Sequence, residues 1–194
     1  MLKNRSPWSV SRISLILFTL ALVAIPILFF LTLSRNTSLP VYGTVADFTL
    51  MERNLTPVSK QYLAERIWIA NFMFTRCPGK CPLMNRQMSQ LQEKLPANIL
   101  LVSFTVDPQQ DTPQILSEYA KNYHPQAGRW FFLTGEKEIL DHLLESFHMS
   151  PLDDPNLHSL KLVLIDQWAQ IRGYYEVTDP QAIKKLLKDA KSLL

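Results

Sequence analysis

Cys77 and Cys81 are the two cysteines of this 194-residue chain, and three residues separate them. They lie in the run Phe72-Met73-Phe74-Thr75-Arg76-Cys77-Pro78-Gly79-Lys80-Cys81-Pro82. Before them, Ile67 to Phe74 is short, apolar and rich in β-formers, as a buried strand should be. Pro78 and Gly79 break the chain into a loop. After them, Leu83, Met84, Met88, Leu91 and Leu95 recur at helical spacing, with Pro82 suited to the first turn. Both sulfurs therefore fall where a strand meets a helix N-terminus. The partial positive charge there, with Arg76 and Lys80 nearby, is expected to lower both thiol pKa values. Two thiolates in one loop make a redox pair or a soft-metal site. A structural disulfide is the third use, but closing so short a loop is worth only about 2 kcal/mol.

The elements that must hold this loop can be read in order. The domain is expected to begin at Gly43, with a first strand at Asp47–Leu50 and a polar turn through Glu52, Arg53 and Asn54. The helix after the cysteines runs from Pro82 to about Leu95. A second apolar strand covers Ile99–Val106, and its unbroken hydrophobicity suits a sheet covered on both faces. Asp111 or Thr112 can cap the next helix, with Pro113 at its first position, running to about Tyr123. A strand at Trp130–Leu133 precedes a helix from Glu136 to about Phe147. His158–Ile165 and Gln170–Glu176 form a hairpin around a turn at Asp166–Ala169. Asp179 and Pro180 start a final helix that ends at Leu194. The order β-α-β-α-β-α-β-β-α predicts an α/β domain with a central, mostly parallel sheet and helices on both faces. The terminal hairpin and helix, with a dithiol after the first long strand, point to a thioredoxin-like fold.

Four histidines are available as partners for the sulfurs. His124 and His148 end helices, where a cation is favourable, and His142 lies within a helix. His158 differs, because it follows the irregular run Ser150–Asn156 and opens the strand whose preceding loop faces the dithiol in a thioredoxin-like sheet. There it can complete a set of two sulfurs and one nitrogen, or serve as a capping residue. That set suits Cu(I), which accepts low coordination. Structural zinc wants four protein ligands, and no hydrolytic base accompanies a catalytic zinc. Met84 and Met88 are soft donors too, though on an apolar helix face they also read as core.

Ile13 to Leu33 carries no charge, and about 20 such residues span a bilayer. Lys3, Arg5 and Arg12 precede it and Arg35 follows, so residues 1–12 are expected in the cytoplasm, 13–33 as an anchor, 34–42 as a linker and 43–194 as an exported domain. No small-residue cleavage site ends the apolar run, which argues against a removed signal peptide. Four of the 20 basic residues lie in 1–35, leaving 16 against 17 acidic residues beyond it. A nearly neutral domain excludes a nucleic-acid footprint, which needs a clustered basic face.

The run Phe74–Pro82 resembles the Cys-Pro-x-x-Cys-Pro signature of the SCO/SenC proteins. Val106–Pro113 is similar to their Asp-Pro-x-x-Asp-Thr segment, and His158-Ser159 with Leu162–Asp166 to their histidine-bearing strand. Trp130–Gly135 and the helix after it also follow the pattern, so the resemblance covers 43–194. It implies a membrane-anchored copper chaperone that assists assembly of the copper centre of cytochrome c oxidase, with Cys77, Cys81 and His158 as ligands. Asp107 and Asp111 match acidic positions near the family's site. The implied partners are the copper-receiving oxidase subunit and a separate copper donor. The implied location is a bacterial plasma membrane with the domain in the periplasm, or the mitochondrial inner membrane facing the intermembrane space. Gly79 and Lys80 depart from the family, whose members often carry an acidic residue after Cys-Pro. A thiol–disulfide oxidoreductase, with Cys77 attacking and Cys81 resolving, and a redox or copper sensor are the alternatives.

Overall fold

The computed structural model describes residues 39–149 and 160–194, together with Leu15, Leu17, Phe18, Leu20 and Leu22. The chain divides into two units, Met1–Ser38 and Leu39–Leu194. Among the described residues no helix is long and apolar enough to cross a membrane. The expected anchor over 13–33 lies for the most part outside the described residues.

The second unit is built on one sheet with the strands β1 (Gly43–Thr44), β2 (Thr49–Glu52), β3 (Pro57–Ser59), β4 (Trp68–Met73), β5 (Leu100–Thr105), β6 (Trp130–Thr134), β7 (Lys161–Ile165) and β8 (Gln170–Glu176). Its helices are α1 (Lys60–Leu63), α2 (Lys80–Lys94), α3 (Pro113–Ala120), α4 (Lys137–Ser146) and α5 (Pro180–Ser192), with a 3-10 turn at Lys121–Tyr123. The strand order is β1-β8-β7-β4-β5-β6-β2-β3. At the centre β4 and β5 are buried at every position, because helices cover both faces, and the sequence there is largely apolar without alternation, broken by Asn71, Ser103 and Thr105.

The α/β class holds, and the parallel pairing is confined to the centre. β4 with β5 and β5 with β6 run parallel. The other pairings, β4–β7, β7–β8, β1–β8, β2–β6 and β2–β3, are antiparallel, so the sheet is mixed rather than mostly parallel. The two parallel pairs are joined by long crossovers through α2 and α3, as parallel pairing requires, whereas β7, after an equally long connection through α4, pairs antiparallel with the free edge of β4. β1, β3 and α1 are additions to the order read from the sequence. The turns around them place Leu55 and Glu65 at φ 69° and 63°, a left-handed conformation usually signalled by glycine or asparagine.

Two apolar clusters fill the two faces. One holds Ile69, Met73, Cys81, Met84, Met88, Leu91, Leu116 and Trp130 under α2, α3 and α5. The other holds an aromatic knot of Phe48, Trp68, Phe72, Phe104 and Phe147, mostly edge-to-face with centroids 5.1–6.2 Å apart.

Candidate functional site

β4 and β5 end in register, Met73 opposite Thr105, so the two loops that follow them leave the same end of the sheet side by side. The Val106 N–H donates to the Met73 carbonyl at 2.9 Å and keeps them together for one more residue. Asp111 then ties the loops. Its side chain is fully buried and accepts from the Thr75 N–H at 3.1 Å, the Thr75 hydroxyl at 2.5 Å and the Thr105 hydroxyl at 2.5 Å. The helix cap that the sequence offered to either residue is Thr112, whose Oγ1 accepts from the Ile115 N–H. Asp107 has a different partner, since its carboxylate meets the exposed Arg76 guanidinium at 2.9 Å.

From Thr75 the chain turns tightly, with the Cys77 N–H donating to the Phe74 carbonyl at 3.3 Å. Helix α2 starts at Lys80, two residues earlier than its apolar periodicity implies, so Cys81 belongs to its first turn. Its N-cap is Gly79, which has no side chain to accept from the first-turn N–H groups. The Cys77 sulfur takes over that task and accepts from the Cys81 N–H at 3.3 Å. A β-carbon on Gly79 would meet nothing within 4 Å.

The two thiols are free and unequal. Cys77 is partly exposed and Cys81 fully buried. Burial raises the Cys77 pKa, but hydrogen bonds from the Cys81 thiol and from the N–H groups of Cys81, Gly79 and Lys80 outweigh it and leave Cys77 below the ordinary thiol value. Cys81 is pushed up to about 12, first by burial, then by donating to Cys77, with the Cys77 and Asp111 charges adding to it. The expectation that the helix N-terminus lowers both thiols is therefore corrected. The dipole reaches both, but only Cys77 collects the donors, and desolvation dominates at Cys81.

A buried polar chain fixes α2 one turn below Cys81. The Trp130 indole N–H donates to Ser103 at 3.0 Å, the Ser103 hydroxyl to Asn71 at 2.6 Å, Asn71 to Asn85 at 2.9 Å and Asn85 to the Tyr119 hydroxyl at 3.0 Å. The sequence reading missed these residues. Their signal is polarity out of place: Asn71 interrupts the apolar run of β4, and Asn85 sits four residues after Cys81 on the apolar face of α2. Met84 and Met88 are 1% and 0% exposed and pack in the core.

Of the histidines, His124 is exposed with φ 51° after the 3-10 turn, and His142 lies 3.8 Å from Glu145 on α4. His148 Nε2 lies 3.0 Å from the Tyr42 carbonyl. His158 lies outside the described residues. The chain resumes at Leu160, which packs against the same apolar cluster as Cys77 and Cys81 and accepts from the Val177 N–H at 2.7 Å. Among the described residues no group of three or more His, Cys, Asp and Glu is placed to hold a metal ion. The described part of the site is thus two soft donors, one solvent-facing and one buried, on a braced loop.

A profile of the SCO1/SenC family matches residues 37–194. The SCO1 protein homolog of Bacillus subtilis is 31% identical over 162 residues, covering 79% of this chain and 84% of the relative. A solved structure of BsSco, described for a disulfide switch and as a member of the Sco family of cytochrome c oxidase assembly proteins, superposes with a TM-score of 0.73. It is 29% identical over 81% of this chain and 98% of its own. The copper-bound ScoI of Arabidopsis thaliana shares the fold at a TM-score of 0.66 and 22% identity, over 76% of this chain and 98% of its own.

Proposed function

The chain belongs to the SCO1/SenC family, and we propose that it is a copper chaperone in cytochrome c oxidase assembly. Cys77, Cys81 and His158 would hold the ion as cargo. The observation that carries this reading is the pair of unequal sulfurs at the start of α2. Both are soft donors suited to Cu(I). Cys77 is already biased toward thiolate and faces solvent, where an incoming thiol from a recipient can reach it. Cys81 must lose its proton on binding, so copper uptake releases a proton in the neutral range. Leu160, two residues beyond His158, packs like Cys77 on the cluster that contains Cys81, which supports His158 as the third ligand. Asp107 and Asp111 act as braces in this reading rather than as ligands, since each already has its own partners. The apolar run at 13–33 would anchor the protein in a bacterial plasma membrane with the domain in the periplasm. The mitochondrial inner membrane, with the domain in the intermembrane space, is the alternative. A copper-receiving oxidase subunit and a separate copper donor would be its partners.

The test is an anaerobic Cu(I) titration against a competing chelator. The expected result is one ion per chain, lost in Cys77→Ser and Cys81→Ser and weakened at least tenfold in His158→Ala. Undiminished binding in His158→Ala rejects the three-ligand site.

The inequality of the thiols also favours a second activity on the same pair, reduction of a target's disulfide. The Cys77 thiolate would attack one target sulfur, forming a mixed disulfide and releasing the other target sulfur as thiolate. Cys81 would then give up its proton and attack Cys77, freeing the second target thiol and leaving a Cys77–Cys81 disulfide. Two electrons pass from the pair to the target. This activity survives in His158→Ala, which separates it from copper binding.

A further inference from the structure

We propose that the end of the domain opposite the cysteines is a lipid-facing surface, with Trp168 as its interfacial side chain and phospholipid headgroups as its occupant. Trp168 is 66% exposed, whereas Trp68 and Trp130 are each 1% exposed. It stands at the tip of the β7–β8 hairpin, and that tip is locked. The Asp166 carboxylate is 1% exposed and accepts from the Trp168 and Gln170 N–H groups at 2.9 Å each, while Arg172 pairs with it at 2.8 Å. The Ala169 N–H closes the turn on the Asp166 carbonyl at 3.0 Å. A large aromatic side chain is therefore held in water by a preorganised turn.

Its neighbours share the same chemistry. The chain enters the domain beside it, because the Val45 N–H donates to the Ala169 carbonyl and the Tyr42 N–H to the Ile171 carbonyl, both at 2.9 Å. Val41 and Tyr42 are about half exposed. Gln167, next to Trp168, lines a cleft of about 430 Å³ together with Arg66, Leu193 and Leu194, and Leu194 is 61% exposed. Helices α2 and α5 carry Lys94 and Lys191 in their last turns, Glu65 lines the same cleft, Glu93 precedes Lys94, and the exposed Asp47 is paired with Lys60 beside Val45. Tryptophan and tyrosine with interspersed cations are the composition favoured at a membrane–water boundary.

Chain length selects a bilayer over another partner. The proposal rests on the reading of 13–33 as an anchor. Five residues, 34–38, then separate the bilayer from Leu39, and they reach at most about 18 Å when extended. The segment that begins there is the one paired to the Trp168 hairpin. The cysteines lie at the other end of β4, beyond Met73. Contact at Trp168 would thus hold the copper loop on the side of the domain away from the membrane.

The test uses the full chain with Trp8→Phe, reconstituted in vesicles of phosphatidylcholine and phosphatidylglycerol. Trp168 fluorescence is isolated by subtracting the Trp8→Phe/Trp168→Phe variant, whose unchanged circular dichroism melt verifies folding. The expected result is a shift of Trp168 emission to shorter wavelength, quenching by brominated phosphatidylcholine and a several-fold loss of iodide quenching. Trp168 that remains fully open to iodide overturns the proposal, as does shielding that appears only when a soluble protein is added. Flotation of the same chain with the vesicles at alkaline pH reports the anchor separately. Flotation with an iodide-accessible Trp168 rejects the lipid contact and leaves the anchor standing, whereas loss of flotation removes both.

Discussion

Two buried aspartates, at opposite ends of the same sheet, lock two loops by different means. Asp166 is closed locally: its partners are Trp168, Gln170 and Arg172, all within six residues, and one of them is a buried guanidinium. Asp111 is closed over distance: it accepts from Thr75, 36 residues away, and from Thr105, and every donor is neutral. The local lock shapes a turn that would form with its own hairpin. The distant lock exists only when β4 and β5 are already paired, and it sets where the cysteine loop departs. The first is a stability device, while the second ties stability to the chemistry of the sulfurs.

The comparison breaks most visibly at Asp166. Asp166→Ala leaves the Arg172 guanidinium, 8% exposed, without its counterion. The expected cost is about 3–5 kcal/mol, the usual penalty for stranding a buried charge. Urea unfolding measures it, and the rate of Cys77 alkylation in the folded fraction should not change. Asp111→Ala should cost less, about 2–3 kcal/mol, because the donors it strands are neutral. It should also change the sulfurs: removing the carboxylate takes away one of the influences that raise the Cys81 pKa, so that value falls below about 12. An Asp111→Ala protein with wild-type thiol titration would erase the proposed difference between the two locks.

The pH response sharpens the same contrast within the dithiol. Cys77, lowered in the folded state, should alkylate rapidly at pH values where an ordinary thiol is mostly protonated. Cys81 should stay protected until the solution approaches pH 12. For stability the signs are opposite. The raised Cys81 value means the folded state holds its proton longer, so its contribution is complete below the ordinary thiol pKa and is lost as pH climbs toward 12. The lowered Cys77 value contributes above the ordinary thiol pKa and is lost as pH falls through its depressed value. Denaturant melts of Cys81→Ser should therefore lose the alkaline part of the wild-type decline and keep the part due to Cys77.

The smallest effect is expected at Gly79. Its φ of −152° lies outside the left-handed region that favours glycine, and a β-carbon there meets no neighbour. Gly79→Ala should cost about 0.5–1 kcal/mol, because glycine is favoured over alanine at an N-cap even without a side-chain acceptor. Its copper and thiol chemistry should match the wild type if Cys77, rather than residue 79, caps α2.

Much of this architecture is legible from residue order, and the exceptions share a cause. The hairpin strand Gln170–Glu176 and the final helix behind Asp179-Pro180 stand where local signals put them, because turn and cap residues act within a few positions. So does the junction of strand, loop and helix at the cysteines. Asp111 was open to misreading, since Asp111 and Thr112 are equally good caps in sequence and only the pairing of β4 with β5 brings Thr75 to one of them. The split of the thiols was hidden for the same reason. Burial of Cys81 depends on packing among Met73, Leu116 and Leu160, none of which is adjacent in sequence. The mixed sheet depends on which edges β7 and β2 select, a choice their own periodicity does not encode.

The central claim, a copper site of two unequal sulfurs completed by His158, is tested most directly by X-ray absorption at the copper edge of the Cu(I)-loaded protein. The account predicts two sulfur scatterers and one nitrogen scatterer in wild type, with the nitrogen lost in His158→Ala. An identical spectrum in His158→Ala, or a site with sulfur ligands alone in wild type, would contradict it.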